Sequence, residues 1–178
     1  MDLRRCFPIG SDVTGVVSMI PKPGAIGIFV DLDGDPCGFV DVLNLPDDSA
    51  QWPPIGTETT FEVLTTTRGQ ARLWPLEPRF RRGAFDNGVS EAEWRARKAR
   101  YPAGAVLSAE VSDAFGDCSY FVRYEGGWSY LEGEPPEVGT HAEYAVVRHL
   151  DTTRRTLLKP LRETNRSAAL LVPTPSAD

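Results

Sequence analysis

The sequence lacks any run of apolar residues that approaches the roughly eighteen needed to cross a membrane, so we expect no membrane-spanning segment. Arg4 and Arg5 are not followed by an apolar stretch, and this pattern predicts no secretory signal. The three cysteines, Cys6, Cys37 and Cys118, cannot all pair, and none has a CxxC spacing. We therefore expect no disulfide framework and no zinc ribbon, and a cytoplasmic location is the expectation for such a chain.

Motifs for catalysis are also scarce. The only two histidines, His141 and His149, lie eight residues apart on one predicted strand. A strand of that length separates them by about 26 Å, so they are not expected to share a metal ion. The chain has neither a phosphate-binding GxxxxGK[ST] motif nor a nucleophile elbow. We expect no enzyme activity, no cofactor and no metal site.

What the chain does contain is glycine and proline, with 16 and 15 copies in 178 residues. This content favours many turns and short strands over a helical bundle. Apolar residues make up 41% and charged residues 25%, which is enough apolar side chain for a packed core. The length suits one ordinary domain or two small ones of about eighty residues each.

Charge is distributed unevenly along the chain. Residues 1–78 carry 5 basic and 11 acidic side chains, a net of −6, and residues 104–178 carry 7 and 11, a net of −4. Residues 79–103 carry 7 basic and 3 acidic side chains, a net of +4. An acidic protein gains nothing from general attraction to phosphate, so any nucleic-acid contact is expected to be local. The basic connector either contacts nucleic acid or forms a solvated helix surface.

The two halves of the chain share a series of landmarks in the same order. Each half has a glycine before an apolar strand, a Phe-Val pair before an acidic turn, a Pro-Pro segment that ends in Gly-Thr, and a closing Pro-Leu pair. Because several matches in one order are improbable by chance, the sequence predicts two copies of one fold. The landmark pairs are Gly15 with Gly104, Phe29-Val30 with Phe121-Val122, Gly56-Thr57 with Gly139-Thr140, and Pro75-Leu76 with Pro160-Leu161.

Each copy has the pattern of five short strands without a long helix. Such a set predicts a small closed barrel, because closure removes the exposed edges of the sheet. The predicted fold is therefore mainly β, with two five-stranded barrels in tandem. The predicted strands are 14–20, 27–32, 38–43, 59–64 and 70–74 in the first copy, and 106–111, 119–124, 128–131, 141–148 and 156–159 in the second.

The connector between the copies is predicted to contain a helix. Ser90 and Glu93 have the spacing of a capping box, and helix-favouring residues follow over 91–100. Tyr101-Pro102 ends this helix. The predicted organisation is a first barrel over 12–78, a basic linker with a helix over 79–103, a second barrel over 104–163 and a flexible tail over 164–178.

The first copy resembles the RNA-binding domain first seen in ribosomal protein S-one. The residues that carry the likeness are mainly structural glycines and core apolar residues, among them Gly15-Val16-Val17, Gly27–Val30 and Phe61–Leu64. The resemblance covers roughly residues 12–78 and, more weakly, 102–163. It implies five-stranded barrels of the oligonucleotide-binding type, and it implies that single-stranded RNA is the partner.

The resemblance also implies which side chains form an RNA face. The family uses two aromatics around the second strand, a His at the end of the third, and an Asp and an Arg near the last hairpin. In the first copy Phe29 matches an aromatic, Asp41 replaces the His and is expected to repel phosphate, and Thr66 and Gln70 fall near the last pair. In the second copy Phe115, Phe121, Asp151 and Arg155 match, and Tyr130 replaces the His but can still stack on a base. The basic connector, independently of the resemblance, adds Arg81 and Arg82 to the predicted nucleic-acid-binding set.

The barrel core is the alternative position for Phe115 and Phe121. Side chains alternate along a strand, so Phe121 and Arg123 share one face while Val122 and Tyr124 take the other. The resemblance implies that Phe121 points outward. An outward aromatic beside an arginine would form a stacking surface for bases.

Two functions follow from these observations. The first is a non-enzymatic nucleic-acid-binding protein that binds single-stranded RNA through the second barrel and the basic connector. The alternative is an acidic protein-interaction module that has lost RNA binding and binds a basic partner, as an immunity or regulatory protein does. The acidic halves favour the alternative, and the aromatic and arginine set of the second copy favours the first.

Overall fold

In each half of the chain, strands with alternating apolar and polar side chains pair to form a closed barrel. The computed structural model describes residues 7–33, 37–67, 69–115, 119–124, 127–131 and 137–161. It contains two closed five-stranded barrels in tandem, joined by a connector with a helix. The predicted fold class is confirmed. Within the described ranges, no helix is long and apolar enough to cross a bilayer.

The first barrel has the strand order β1-β2-β3-β5-β4, and pairing of β1 with β4 closes it. Strands β3 and β5 run parallel, while the other neighbours are antiparallel. Its core is filled by inward side chains such as Val17, Val30 and Phe61, which are fully buried. The strands are β1 Asp12–Met19, β2 Gly27–Leu32, β3 Gly38–Asp41, β4 Glu58–Thr67 and β5 Gln70–Pro75.

The second barrel repeats this topology. Its order is β6-β7-β8-β10-β9, with β8 and β10 parallel and β6 paired with β9. Val111, Val122 and Tyr144 belong to its core. The strands are β6 Val106–Phe115, β7 Ser119–Tyr124, β8 Gly127–Leu131, β9 His141–Leu150 and β10 Arg155–Pro160.

Several strands extend beyond their predicted ends. Strand β4 continues to Thr67, β6 to Phe115 and β9 to Leu150. These additional residues pair with an antiparallel neighbour. The pairing satisfies their backbone groups without requiring a periodic apolar side chain, so the sequence pattern does not mark them.

The connector helix α1, Glu91–Arg100, begins at the predicted capping box. The hydroxyl of Ser90 accepts from the Glu93 amide at 3.2 Å, and the Glu93 carboxylate accepts from the Ser90 amide at 2.8 Å. On the face of α1 toward the second barrel, Trp94 is only 2% exposed. Its indole Nε1 donates to Asp151 Oδ1 at 2.8 Å, and Lys98 Nζ lies 2.5 Å from the same oxygen. The helix is therefore docked on the turn between β9 and β10.

A buried ion pair joins the two barrels. Arg155 Nη2 of β10 lies 2.5 Å from Glu62 Oε1 of β4, and the side chains are 3% and 5% exposed. Thr153 donates its hydroxyl to the same Glu62 oxygen at 2.6 Å and accepts from Arg155 Nε at 2.9 Å. Arg155 Nη1 also donates to the Leu64 carbonyl at 2.9 Å. Nη1 and Nη2 of this guanidinium thus bond the first barrel directly, while Nε bonds Thr153, which itself donates to Glu62.

The connector packs across the same junction. The Phe85 ring meets Trp74 of β5 edge to face, with centroids 4.9 Å apart. The amide of Asn87 donates to the carbonyls of Thr153 and Arg154, at 2.8 and 3.0 Å. The connector thus contacts both barrels, and it borders the space between them.

Candidate nucleic-acid interface

Two aromatic rings and one arginine lie together on the outer surface of the first barrel. Phe29 of β2 is the cross-strand partner of Phe39 of β3, and their ring centroids are 5.1 Å apart. Arg72 of β5 is the partner of Phe39 on the other side, with its Cζ 4.6 Å from the Phe39 ring centroid. We call Phe29, Phe39 and Arg72 the aromatic platform.

Strand alternation explains why these side chains point outward. In β3, Val40 turns into the core, so its neighbours Phe39 and Asp41 lie on the opposite face. In β5, Ala71 and Leu73 are core residues, which places Arg72 outside. Phe29 and Arg72 are half-buried, whereas Phe39 between them is only 7% exposed. Phe29 and Arg72 therefore provide most of the accessible surface of the platform.

A cleft of about 260 Å³ lies beside the platform, between the two barrels. Residues from three parts of the chain line it. The first barrel contributes Phe39, Asp41, Asn44 and Arg72, the connector contributes Phe85, and strand β8 of the second barrel contributes Tyr130. Aromatic rings of both barrels thus line one concave site.

Several polar groups of the cleft keep hydrogen-bonding capacity that no residue in the described part of the chain uses. Arg72 stacks on Phe39, and its guanidinium has no acceptor there. Oxygen Oδ1 of Asp41 accepts from the Leu43 amide at 3.0 Å, which leaves further acceptor sites on this carboxylate. The side-chain amide of Asn44 likewise makes no hydrogen bond among the described residues. These groups are able to hydrogen-bond a ligand.

The connector segment that carries the predicted arginines passes beside Asn44, a residue that lines the cleft. The Arg82 amide donates to the Asn44 carbonyl at 3.1 Å, which fixes the connector beside a lining residue. The Arg82 guanidinium is exposed and lies 3.1 Å from Asp47. Arg81, the preceding residue, is half-buried. An exposed ion pair of this kind contributes little, so Arg82 is able to exchange Asp47 for a phosphate.

Two residues of the implied RNA face have structural positions instead. The resemblance implies an RNA-facing Arg155, but this side chain is buried in the ion pair with Glu62. Asp151 accepts from Trp94 and Lys98 and so holds helix α1. Arg155 still lines the cleft beside Tyr130, although its nitrogen atoms already have these partners, whereas Asp151 is not among the lining residues.

Of the other predicted residues of the second barrel, the structure describes the side chain of Tyr130 only. Tyr130 is half-buried in the cleft, with the Arg155 guanidinium 4.9 Å from its ring centroid. The side chains of Phe115 and Phe121 lie outside the described part of the structure. Beside Phe121, Val122 and Tyr124 are buried and Arg123 is exposed, as the alternation predicts.

Sequence reasoning missed Phe39 and Arg72. The family comparison placed the third-strand position at Asp41 and the last-hairpin arginine at Gln70, each two residues away on the same face. The signal was present in the strand pattern, because Arg72 stands between the core residues Ala71 and Leu73. Alternation indicates the face of a strand but not its register against neighbouring strands.

The described residues contain no group of three or more His, Cys, Asp or Glu side chains suited to hold a metal ion. Among these residues, Asp151 has a perturbed carboxyl group at the helix contact. The hydrogen bond from Lys98, and then that from Trp94, holds the pKa of Asp151 below its ordinary value. This shift belongs to the docking of α1 and not to the cleft.

Loss of the Asp151 charge is expected to weaken the helix contact modestly. Asp151→Asn keeps an acceptor for Trp94 and, at an exposed ion pair, is expected to cost less than about 1 kcal/mol of unfolding free energy at pH 7. Asp151→Ala leaves the buried indole N–H unpaired, at a cost of about 1–2 kcal/mol. Urea denaturation measures both, with Asp12→Asn as an exposed carboxylate control.

The same contact predicts a pH dependence. Because the folded pKa lies below the unfolded value of about 3.9, the stabilisation is complete above that value and is lost as the pH falls through the folded pKa. The difference in unfolding free energy between the parent and Asp151→Asn should therefore vanish in acid. A difference that persists unchanged to the lowest pH at which the protein folds would contradict this assignment.

Comparisons with known proteins assign no family. No family model and no curated protein matches the chain. Among solved structures, a multidomain protein with nucleic acid binding domains from Streptococcus pneumoniae aligns with 16% identity and a TM-score of 0.31 over 85% of this chain. The chain spans about half of that protein, since the alignment covers 51% of it. GSP13 from Bacillus subtilis aligns with 22% identity and a TM-score of 0.36, over 55% of this chain and 78% of GSP13.

Proposed function

We propose that this protein binds single-stranded nucleic acid, with RNA as the preferred partner, across the aromatic platform and the adjoining cleft. The observation that carries the proposal is the outward set of Phe29, Phe39 and Arg72, next to a cleft that Tyr130 also lines. Aromatic faces stack on bases, and each stacked base contributes about 1–3 kcal/mol. The choice of RNA over DNA rests on the resemblance of the sequence to the ribosomal protein S-one domain.

The proposed binding surface lies mainly on the first barrel, whereas the sequence placed it on the second barrel and the connector. The second barrel contributes Tyr130, while the first barrel supplies most of the surface. The connector contributes Arg81 and Arg82, the same two arginines that were expected from the sequence. No catalytic step is part of the proposal.

The acidic surroundings limit the electrostatic contribution. Arg81 and Arg82 of the connector are the arginines that this proposal assigns to phosphates, so we expect about two phosphate contacts. The logarithm of the affinity for a single strand falls by about 0.7 per phosphate for each tenfold rise in salt. Raising the salt from 50 to 200 mM is therefore expected to weaken binding about tenfold, far less than for a basic protein.

Loss of the platform is expected to weaken binding without unfolding the barrel. Phe29→Ala removes a half-buried surface ring and should reduce affinity for a single-stranded RNA octamer about tenfold or more. Arg72→Gln should reduce affinity with little change in the salt dependence, because it removes the cation stacked on Phe39 and not a phosphate contact. Fluorescence anisotropy at two salt concentrations measures both effects, with a DNA octamer in parallel.

Arg95→Gln is the matched control for Arg72→Gln. Arg95 is an exposed arginine of helix α1 with a weak contact to Glu91 at 3.9 Å. Removing its charge alters the net charge equally, but it should leave RNA affinity nearly unchanged. Thermal melting of each variant checks that the fold is retained. Equal losses for Arg72→Gln and Arg95→Gln would reject the platform as the binding site.

The second candidate function is a protein-interaction module for a basic partner. It is favoured by the net charges of −6 over residues 1–78 and −4 over residues 104–178. It predicts no binding of any octamer at 50 mM salt, together with saturable binding of a labelled lysine-rich peptide. That pair of results would replace the nucleic-acid proposal with this one.

A further inference from the structure

We infer that the cleft takes one nucleobase of the bound strand and prefers guanine. This inference rests on the proposed function, because Phe39 and Arg72 belong both to the platform and to the cleft. A strand that stacks on Phe29 would therefore reach the cleft with an adjacent base.

The dimensions of the cleft suit a single base. At about 260 Å³ it lies just below the usual range for pockets that enclose drug-sized ligands. Phe39, Phe85 and Tyr130 offer apolar ring surface from the first barrel, the connector and the second barrel. A flat aromatic ligand is the chemistry that such a lining accommodates.

The Asp41 carboxylate selects the edge of the base. It lies two residues from Phe39 on the same face of the chain leaving β3, and it retains acceptor sites beyond its contact with Leu43. A carboxylate accepts well from two adjacent N–H donors. Guanine presents such a pair on its Watson–Crick edge, whereas adenine, cytosine and uracil place an acceptor beside each donor on that edge. The Asp41 carboxylate, whose charge repels phosphate, is thus suited to accept hydrogen bonds from the two N–H donors of the guanine edge.

Arg72 on the neighbouring strand supplies the complementary donors. Its guanidinium has no acceptor among the described residues, and pairing with guanine O6 and N7 is the commonest base-specific contact of arginine. An adenine in this orientation would instead direct its amino group toward the guanidinium donors. The Asp41 acceptor and the Arg72 donors lie on the adjoining strands β3 and β5. Together they match the donors and acceptors of guanine, and they do not match those of adenine.

The test compares uridine octamers that carry one central guanosine, adenosine or inosine. Inosine lacks the guanine 2-amino group and so removes one of the two donors to Asp41. Anisotropy titration is expected to give about tenfold tighter binding for guanosine than for adenosine, with inosine between them. Equal affinities for the three octamers, combined with weaker binding by Phe29→Ala, would overturn the guanine inference and leave the proposed function in place.

Asp41→Asn provides the decisive variant. Asparagine still accepts from the Leu43 amide, so the turn that follows β3 is expected to remain. The variant should abolish the preference for guanosine over inosine. Asp31→Asn, an exposed β2 carboxylate, removes the same charge and should keep the preference. Loss of the preference in both variants, or in neither, would overturn the assignment to Asp41.

Competition by guanosine monophosphate distinguishes a site for a base within a strand from a site for a free nucleotide. It should compete with the guanosine octamer only at concentrations at least about tenfold above the octamer's own Kd. Competition by guanosine monophosphate at the octamer's own Kd would overturn the inference in favour of a nucleotide site. Absence of binding by every octamer at 50 mM salt would overturn both the inference and the proposed function.

Discussion

Replacing Glu62 with leucine is expected to lower the free energy of unfolding by about 3–5 kcal/mol. The change leaves the Arg155 guanidinium buried without its counter-ion, at a side chain that is 3% exposed. It also removes the acceptor of the Thr153 hydroxyl. Urea denaturation measures the loss. Glu58→Leu, on the same strand but exposed, is expected to change stability by less than about 0.5 kcal/mol.

The double variant tests whether an unpaired buried charge causes the loss of unfolding free energy. Arg155→Leu alone should also be strongly destabilising, since it leaves Glu62 buried without a cation. Combining Glu62→Leu with Arg155→Leu removes both charges and is expected to be less destabilising than either single change. Additive losses in the double variant would contradict this explanation of the junction.

Trp94→Ala is expected to cost about 3–5 kcal/mol, because it removes the largest buried side chain between helix α1 and the second barrel. The ring packs edge to face on His149 with centroids 5.3 Å apart. Trp94→Phe keeps ring contacts but loses the N–H to Asp151, so an intermediate loss is expected. Denaturant midpoints and the circular dichroism of the helix report both variants.

Arg95→Ala is the control for Trp94 on the same helix. Its side chain is exposed, and alanine favours helix, so stability is expected to change by less than about 0.5 kcal/mol. If Trp94→Ala were as mild as Arg95→Ala, the contact of α1 with the barrel would contribute little, and the connector would not be anchored there.

The barrels and the helix were predictable because local patterns specify them. Alternation in residues such as Ile28 and Val30 indicates strands, and the capping box of Ser90 and Glu93 marks the start of a helix. The repeated Gly-Thr landmarks indicated that one topology occurs twice. Each of these signals lies within a few residues along the chain, where sequence reasoning is strongest.

The site was less predictable because it depends on contacts between distant residues. Arg155 meets a residue 93 positions earlier, and Asp151 meets Trp94 57 positions earlier. Strand alternation gives the face of each side chain, but it does not identify the neighbour that covers it. The sequence therefore pointed to aromatic and basic side chains, while the pairing of β3 with β5 placed Phe39 and Arg72 together.

The most direct test of the account is amide chemical-shift mapping of the labelled protein during titration with a single-stranded RNA octamer that carries one guanosine. We expect the largest shifts to cluster on β2, β3 and β5, around Phe29, Phe39 and Arg72, and to extend to Tyr130 across the cleft. Shifts confined to helix α1 and to β6 and β7, or no shifts at low salt, would contradict it.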